Sequence, residues 1–229
     1  MRTRQRGRGA ERSTFTQVKR RDQLVDCMID AIAELGFARA SVAEVARRAG
    51  VSKGVVTYHF AAKEDLIGAV IADVLASMRE YLEPRIHAAD PMQFPERFIA
   101  AYVTEWAGYY RTHAREVLAL VRIYNGFRDE SGRPNPAFDV RAEDVAIAER
   151  VLRLGQSRGR LGDFDARVMA ALMKAAVDDL LTQFADDRGL DLEAYAAELV
   201  ALFERATRPD PDASPPPGTG PVSPHLEDR

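Results

Sequence analysis

The stretch Gly50 to Leu66, GVSKGVVTYHFAAKEDL, crowds two lysines, a tyrosine, a histidine and a phenylalanine among three valines. These side chains suit contact with a polyanionic duplex. Lys53 can donate to a phosphate or a guanine edge, Val55 and the Thr57 methyl can touch a thymine methyl, and Tyr58 and His59 can donate to backbone oxygens. Ser52 stands at the start of this face, and Lys63 and Ser41 fall beside helix N-termini, where free backbone N–H groups favour a phosphate. Val51, Val56 and Phe60 fall near the opposite side and can pack inward. The segment has one face for a core and one for a groove.

Chemistry that makes or breaks bonds finds less support. His59, His87, His113 and His225 do not fall at spacings that place two on one helix face, and Cys27 stands alone, so no metal site is expected. There is no glycine-rich phosphate loop after a strand and no serine nucleophile elbow. Asp178 with Asp179, and Asp186 with Asp187, read as solvated or capping acids. The expectation is a non-enzyme without a cofactor. Cys27, set between Asp26 and Met28 in a helical pattern, reads as a small packed side chain.

A groove-facing helix needs elements that brace it. Leu24, Val25, Met28, Ile29, Ile32 and Leu35 recur at three-and-four spacing, and Gly36 stops them, which predicts a helix over 21–35. Ser41 followed by Glu44 reads as a capping box opening a second helix that ends at Gly50. Ser52 caps a third, to about His59. The turn between them needs a residue tolerant of positive φ, and Gly50 supplies it. A fourth begins near Ala62 with Leu66, Ile67, Val70, Val74, Leu75 and Met78 on one face, and Pro84 is expected to perturb or end it. Two short helices joined at Gly50 and Val51 and braced by the first make a helix-turn-helix.

Five further helices are predicted at 96–111, 115–128, 137–157, 165–187 and 192–206, with breaks at DPMQFP, SGRPNP, RGRLGD and Gly189. The fold class is all-α, with about nine helices. Residues 1–20 read as a flexible basic arm, 21–66 as a DNA-binding domain, 67–207 as a helical body, and the Pro-rich 208–229 as disordered. The net charge of −3 conceals an asymmetry: residues 1–68 hold 13 Lys or Arg against 8 Asp or Glu, a balance of +5 that leaves −8 for the rest. Only the front meets a polyanion on this reading; a merely solvated tail also fits the arm. No apolar run is long enough to span a membrane, and no apolar segment follows the arginine-rich start, so a cytoplasmic location without a membrane partner is expected.

ASVAEVARRAGVSKGVVTYHFAAKEDLI resembles the DNA-binding region of the TetR family of transcriptional regulators, over about Leu24 to Ile71. One departure is Thr57, where most members place Tyr; the next aromatic is Tyr58, to which the phosphate contact is therefore assigned. The resemblance implies a helical body with an effector pocket and a homodimer held largely by the last two helices. Val177, Leu180, Leu181, Phe184, Leu199, Leu202 and Phe203 are the expected interface, although such stripes can equally serve the monomer's own core. Tyr102, Trp106, Tyr109 and Tyr110 on one helix, Tyr124 and Phe127 on the next, and Met169 and Met173 are the expected pocket for an apolar or cationic effector of unknown identity. Plain core packing is the competing account of these aromatics.

The expected function is thus a homodimeric regulator, a repressor that binds double-stranded operator DNA and is released by a small molecule. A helical ligand-binding or enzymatic protein with a vestigial head is the alternative, and a nonspecific DNA-compacting protein a third reading.

Overall fold

The stripe Leu24, Val25, Met28, Ile29, Ile32 is almost wholly removed from solvent, and it makes its helix the brace on which other elements rest. In the computed structural model, which describes residues 5–126 and 141–210, this is α1, Gln5–Leu35. It packs against α2 (Val42–Ala49), α4 (Lys63–Ala88) and α6 (Ala114–Gly126), while α3 (Lys53–His59) rests on α2. The remaining helices are α5 (Phe98–Thr112), entered through a single 3-10 turn at Pro95–Arg97, α7 (Arg141–Ser157), α8 (Ala166–Asp186) and α9 (Leu192–Ala206). All regular elements among the described residues are helical, and no described helix is long and apolar enough to cross a membrane.

Several boundaries differ from those read in the sequence. The helix expected from Arg21 begins at Gln5, so most of the stretch assigned to a flexible arm continues α1. Arg, Gln, Glu and Lys are good helix formers, and once a packed segment has nucleated the helix each further residue adds a hydrogen bond. Pro84 does not end α4, which runs on to Ala88. Pro84 and Glu80 both face solvent, so the Glu80 carbonyl that loses its N–H partner is open to water. Because α4 is continuous from Lys63, the division placed after residue 66 falls inside one rod. The SGRPNP break and residues 211–229 lie outside the described residues.

Head and body are fastened through α6 as well as α4. Arg122 Nη1 donates to the Ile32 and Ala33 carbonyls at 3.1 and 2.6 Å, in the last turn of α1, where the Ile32 carbonyl also accepts from the Gly36 N–H at 2.9 Å. Arg115, on the same helix, reaches the Asp30 and Asp26 carboxylates at 2.9 and 3.2 Å. That pair is half-exposed and contributes little. At the far end the Gly162 N–H donates to the Thr207 carbonyl at 2.8 Å, tying the end of α9 to the turn before α8. A Cβ at Gly162 would stand 2.4 Å from the Arg208 carbonyl oxygen, a contact no side chain tolerates.

Replacing Arg122 by Ala removes a charged donor from two carbonyls of α1 and should cost about 1–3 kcal/mol of stability. Chemical denaturation checks it, and an unchanged midpoint would show that water replaces the guanidinium fully.

Candidate nucleic-acid interface and ligand cavity

Two turns decide how α3 is presented. Ser41 is the N-cap of α2 in extended conformation, and its Oγ accepts from the Glu44 N–H at 3.2 Å. Glu44 does not reach back to complete the expected capping box. Its carboxylate is taken by Arg47 and Arg48 at 2.6 and 2.7 Å, stronger charge-assisted partners than a backbone N–H. These hydrogen bonds, Arg47 first and Arg48 next, hold the Glu44 carboxyl down at about 2. Arg48 also pairs with Glu34 of α1 at 2.7 Å, so α2 is locked to its brace from the side.

Gly50 closes α2 with φ +65°, and its N–H donates back to Arg47 at 3.3 Å while the Val51 N–H donates to Ala46 at 3.0 Å. Ser52 is the N-cap of α3 by conformation, but its hydroxyl makes no capping bond. Instead the Val55 N–H donates to the Ser52 carbonyl at 3.0 Å. Val56 and Phe60 are buried beneath, with the Arg21 guanidinium of α1 4.8 Å from the Phe60 ring centre.

The other face of α3 is open. Ser52, Lys53, Thr57 and Tyr58 are exposed, Tyr58 at 73%, and Val55 and His59 are half-buried. No described residue pairs with Lys53. The Thr57 hydroxyl donates within its own helix, toward Gly54 and Lys53 carbonyls at 3.2 and 3.3 Å, which turns its methyl to the remaining direction. Tyr58 and His59 meet edge to face, centroids 5.2 Å apart. Lys63 is held differently from expectation: its Nζ donates to the Phe37 carbonyl at 3.2 Å and lies 4.8 Å from the Phe37 ring centre. A phosphate would have to compete for it.

Sequence reasoning missed Gln17. Its side-chain amide donates to the Tyr58 hydroxyl at 3.4 Å, so the basic front of α1, with Lys19, Arg20 and Arg21, flanks the open face of α3. Only the longer helix, invisible to apolar periodicity, brings it there.

In the body, Tyr102, Trp106 and Tyr110 of α5 line a cavity of about 450 Å³ together with residues of α4, α6, α7 and α8. Trp106 lies 6.3 and 5.6 Å, centre to centre, from Tyr102 and Tyr110. Tyr109 turns away: it is buried, stacks on His113 at 4.2 Å and donates to Ser77 at 3.2 Å. Burial pushes its phenol up to about 12, the Ser77 hydrogen bond opposing. Tyr124 is half-exposed, Met169 is partly buried and Met173 fully buried, none of them lining the cavity, and Phe127 lies outside the described residues. The polar lining, Arg79, Glu83, His87, Glu143, Asp144, Lys174 and Asp178, was not foreseen.

Of the expected interface, Val177, Leu180 and Phe184 are buried in the monomer's own core and Leu181 lines the cavity. Leu199 and Phe203 are partly buried and Leu202 is exposed. Val168 and Leu172 are the large apolar side chains of α8 that stand exposed among the described residues. Among the described residues no three His, Cys, Asp or Glu side chains gather as metal ligands.

Residues 29–70 match the family described as bacterial regulatory proteins, tetR family. An HTH-type transcriptional regulator BetI of Klebsiella pneumoniae (strain 342) is 42% identical over 69 residues, 30% of this chain and 35% of that protein. The chain thus aligns with little more than a third of the length of that relative. Over the whole fold, FadR from Bacillus subtilis, a transcriptional regulator solved with stearoyl-CoA, superposes with a TM-score of 0.66 at 18% identity, covering 79% of this chain and 96% of FadR. A TetR-like transcriptional regulator from Rhodococcus sp. RHA1 gives 0.66 at 19%, covering 82% and 94%. The likeness to the tetR family of bacterial regulatory proteins is thus one of sequence over the head, and through the body it is one of fold.

Proposed function

We propose that the protein is a homodimeric transcriptional repressor that places α3 in the major groove of an operator and releases it when a small molecule fills the body cavity. The observation that carries the reading is the two-sidedness of α3: Val56 and Phe60 anchor it beneath while Lys53 and Tyr58 stand exposed above. A major groove about 12 Å wide admits one helix, with phosphates on its walls for Lys53 and Tyr58 and base edges on its floor for Val55 and Thr57. Gln17 and the cations of α1 lie on the flank, where a phosphate wall would run.

Two copies are required to read two half-sites about one helical turn apart, or a multiple of it. The face for this is the one α8 and α9 leave open: Val168, Leu172 and Leu202 exposed, Leu199 and Phe203 partly so. An effector site is supported by the cavity between α4, α5, α7 and α8 and by the fold shared with FadR, which was solved with stearoyl-CoA.

Operator binding is tested by a mobility shift with the DNA adjoining the protein's own gene, at several salt concentrations. Affinity should fall steeply with salt, and Lys53→Ala should lower the slope of log K against log salt by about one. Tyr58→Ala should weaken binding about tenfold, the loss of one hydrogen bond to a charged group, without lowering stability. Absence of any specific shift would favour the vestigial-head alternative, and binding abolished equally by any competitor DNA would favour compaction. Leu202→Glu, placing a charge on the open apolar face, should convert a dimer to a monomer in light scattering; an unchanged dimer would move the interface elsewhere.

A further inference from the structure

The cavity has a charge pattern that says more about its occupant than its size does. Four carboxylates line it, Glu83, Glu143, Asp144 and Asp178, against two permanent cations, Arg79 and Lys174. One of those cations is already used. Lys174, 7% exposed, forms an ion pair with Asp178 one turn along α8, and its ammonium lies 5.5 Å from the centre of the Trp106 ring. The protein's own ammonium therefore occupies a subsite made of a carboxylate and an aromatic face, which is the combination that recognises organic cations. Asp144, on the opposing helix α7, faces the same space and has no hydrogen-bond partner among the described residues.

A second observation points the same way. Tyr110 is wholly buried on the cavity wall, and its hydroxyl has no hydrogen-bond partner among the described residues. An unpaired buried hydroxyl costs free energy, and a ligand N–H or O–H group is the natural partner. The rest of the lining is largely apolar and aromatic, with Leu75, Met78, Leu82, Phe98 and Tyr102 among it.

We infer that the cavity selects a protonated amine with an aromatic or branched apolar body, its ammonium held by Asp144 and the Tyr110 hydroxyl beside the Lys174–Asp178 pair. Burial raises the Asp144 carboxyl above its usual range, with Lys174 opposing and Asp178, Glu143 and, in opposition, Arg79 contributing less. An incoming ammonium would add a directly hydrogen-bonded opposite charge to the more distant ones of Lys174 and Arg79. An anionic ligand meets the reverse situation, since it finds Arg79 alone unless it breaks the Lys174–Asp178 pair, and it lies against the surplus of carboxylates. This inference rests on the cavity being an effector site, but its test needs no DNA, so the two can fail separately.

Trp106 is the single tryptophan of the chain, and its fluorescence reports the cavity directly. The full-length protein is titrated at neutral pH with three probes of similar size: 4-phenylbutylamine, which is cationic, 4-phenylbutan-1-ol, which is neutral, and 4-phenylbutyrate, which is anionic. The amine should bind about tenfold more tightly than the alcohol, the worth of one desolvated charge contact, and the acid most weakly. Asp144→Asn should bring the amine down to the alcohol's affinity while leaving the alcohol unchanged. Tyr110→Phe, which removes the orphaned hydroxyl without emptying space, should weaken the amine several-fold in a protein at least as stable. An alcohol that binds as tightly as the amine, an acid that binds more tightly, an Asp144→Asn protein with the amine preference intact, or no binding of the amine into the millimolar range would each overturn the inference.

Discussion

Everything in this molecule depends on one buried seam, the stripe of Leu24, Val25, Met28, Ile29 and Ile32 on α1. Each such side chain contributes about 1.5–3 kcal/mol when taken from water, and together they hold α2, α4 and α6 against a single rod. The recognition helix has only seven residues and no capping bond from Ser52. An isolated helix of that length is not stable in water, so α3 exists because Val56 and Phe60 are drawn into the core that α1 organises. Its outward residues owe their freedom to the same fact. With the rear anchored, Lys53 and Tyr58 have no other place to go.

Charge is distributed with a comparable division between structure and function. Arg47 and Arg48 are basic residues within the helix-turn-helix, yet both are engaged with Glu44, and Arg48 also with Glu34. Lys63 is likewise turned onto Phe37. Lys53 is the cation of α3 without such a partner among the described residues, and α1 passes alongside through the contact of Gln17 with Tyr58. A simple count of basic residues in the first 68 positions would overstate what a phosphate can reach, because surface pairs already neutralise part of it.

The head was legible in the sequence because its information is local. Gly50 at positive φ, Ser41 at an N-cap, and the inward spacing of Val56 and Phe60 each depend on neighbours a few residues away. The body was legible only as a set of helices. Periodicity shows that a face is buried without showing against what, and so Val177, Leu180 and Phe184 read as an interface although they are core. Tyr109 and Tyr110 are adjacent in sequence but about 100° apart around α5, so one joins the cavity and the other a stack with His113. The charged lining of the cavity takes Arg79 from α4, Asp144 from α7 and Lys174 from α8, and no spacing rule connects three helices. Pro84 and the front of α1 failed for the opposite reason. A local signal, a proline or the lack of apolar residues, was overruled by exposure and by helix propagation.

The continuity of α4 through Pro84 has a mechanical consequence for the proposed regulator. The same helix that starts beside the helix-turn-helix at Lys63 supplies Leu75, Met78, Arg79, Leu82, Glu83 and Ile86 to the cavity wall. At 1.5 Å per residue, Lys63 and Leu82 are separated by roughly 30 Å of rod, so a small tilt at the cavity end becomes a displacement at the head. Filling the cavity does nothing by itself, since a ligand that binds both arrangements equally shifts no population. Discrimination by a few kcal/mol is needed for a strong switch, and it must arise where the two arrangements differ in contact with the ligand. Arg122 resists that difference, because it ties α6 to the end of α1 whichever way α4 leans. A head held by one rod would swing freely; held by α4 and α6 together, it moves only if the contacts between those two helices and α1 rearrange as a unit.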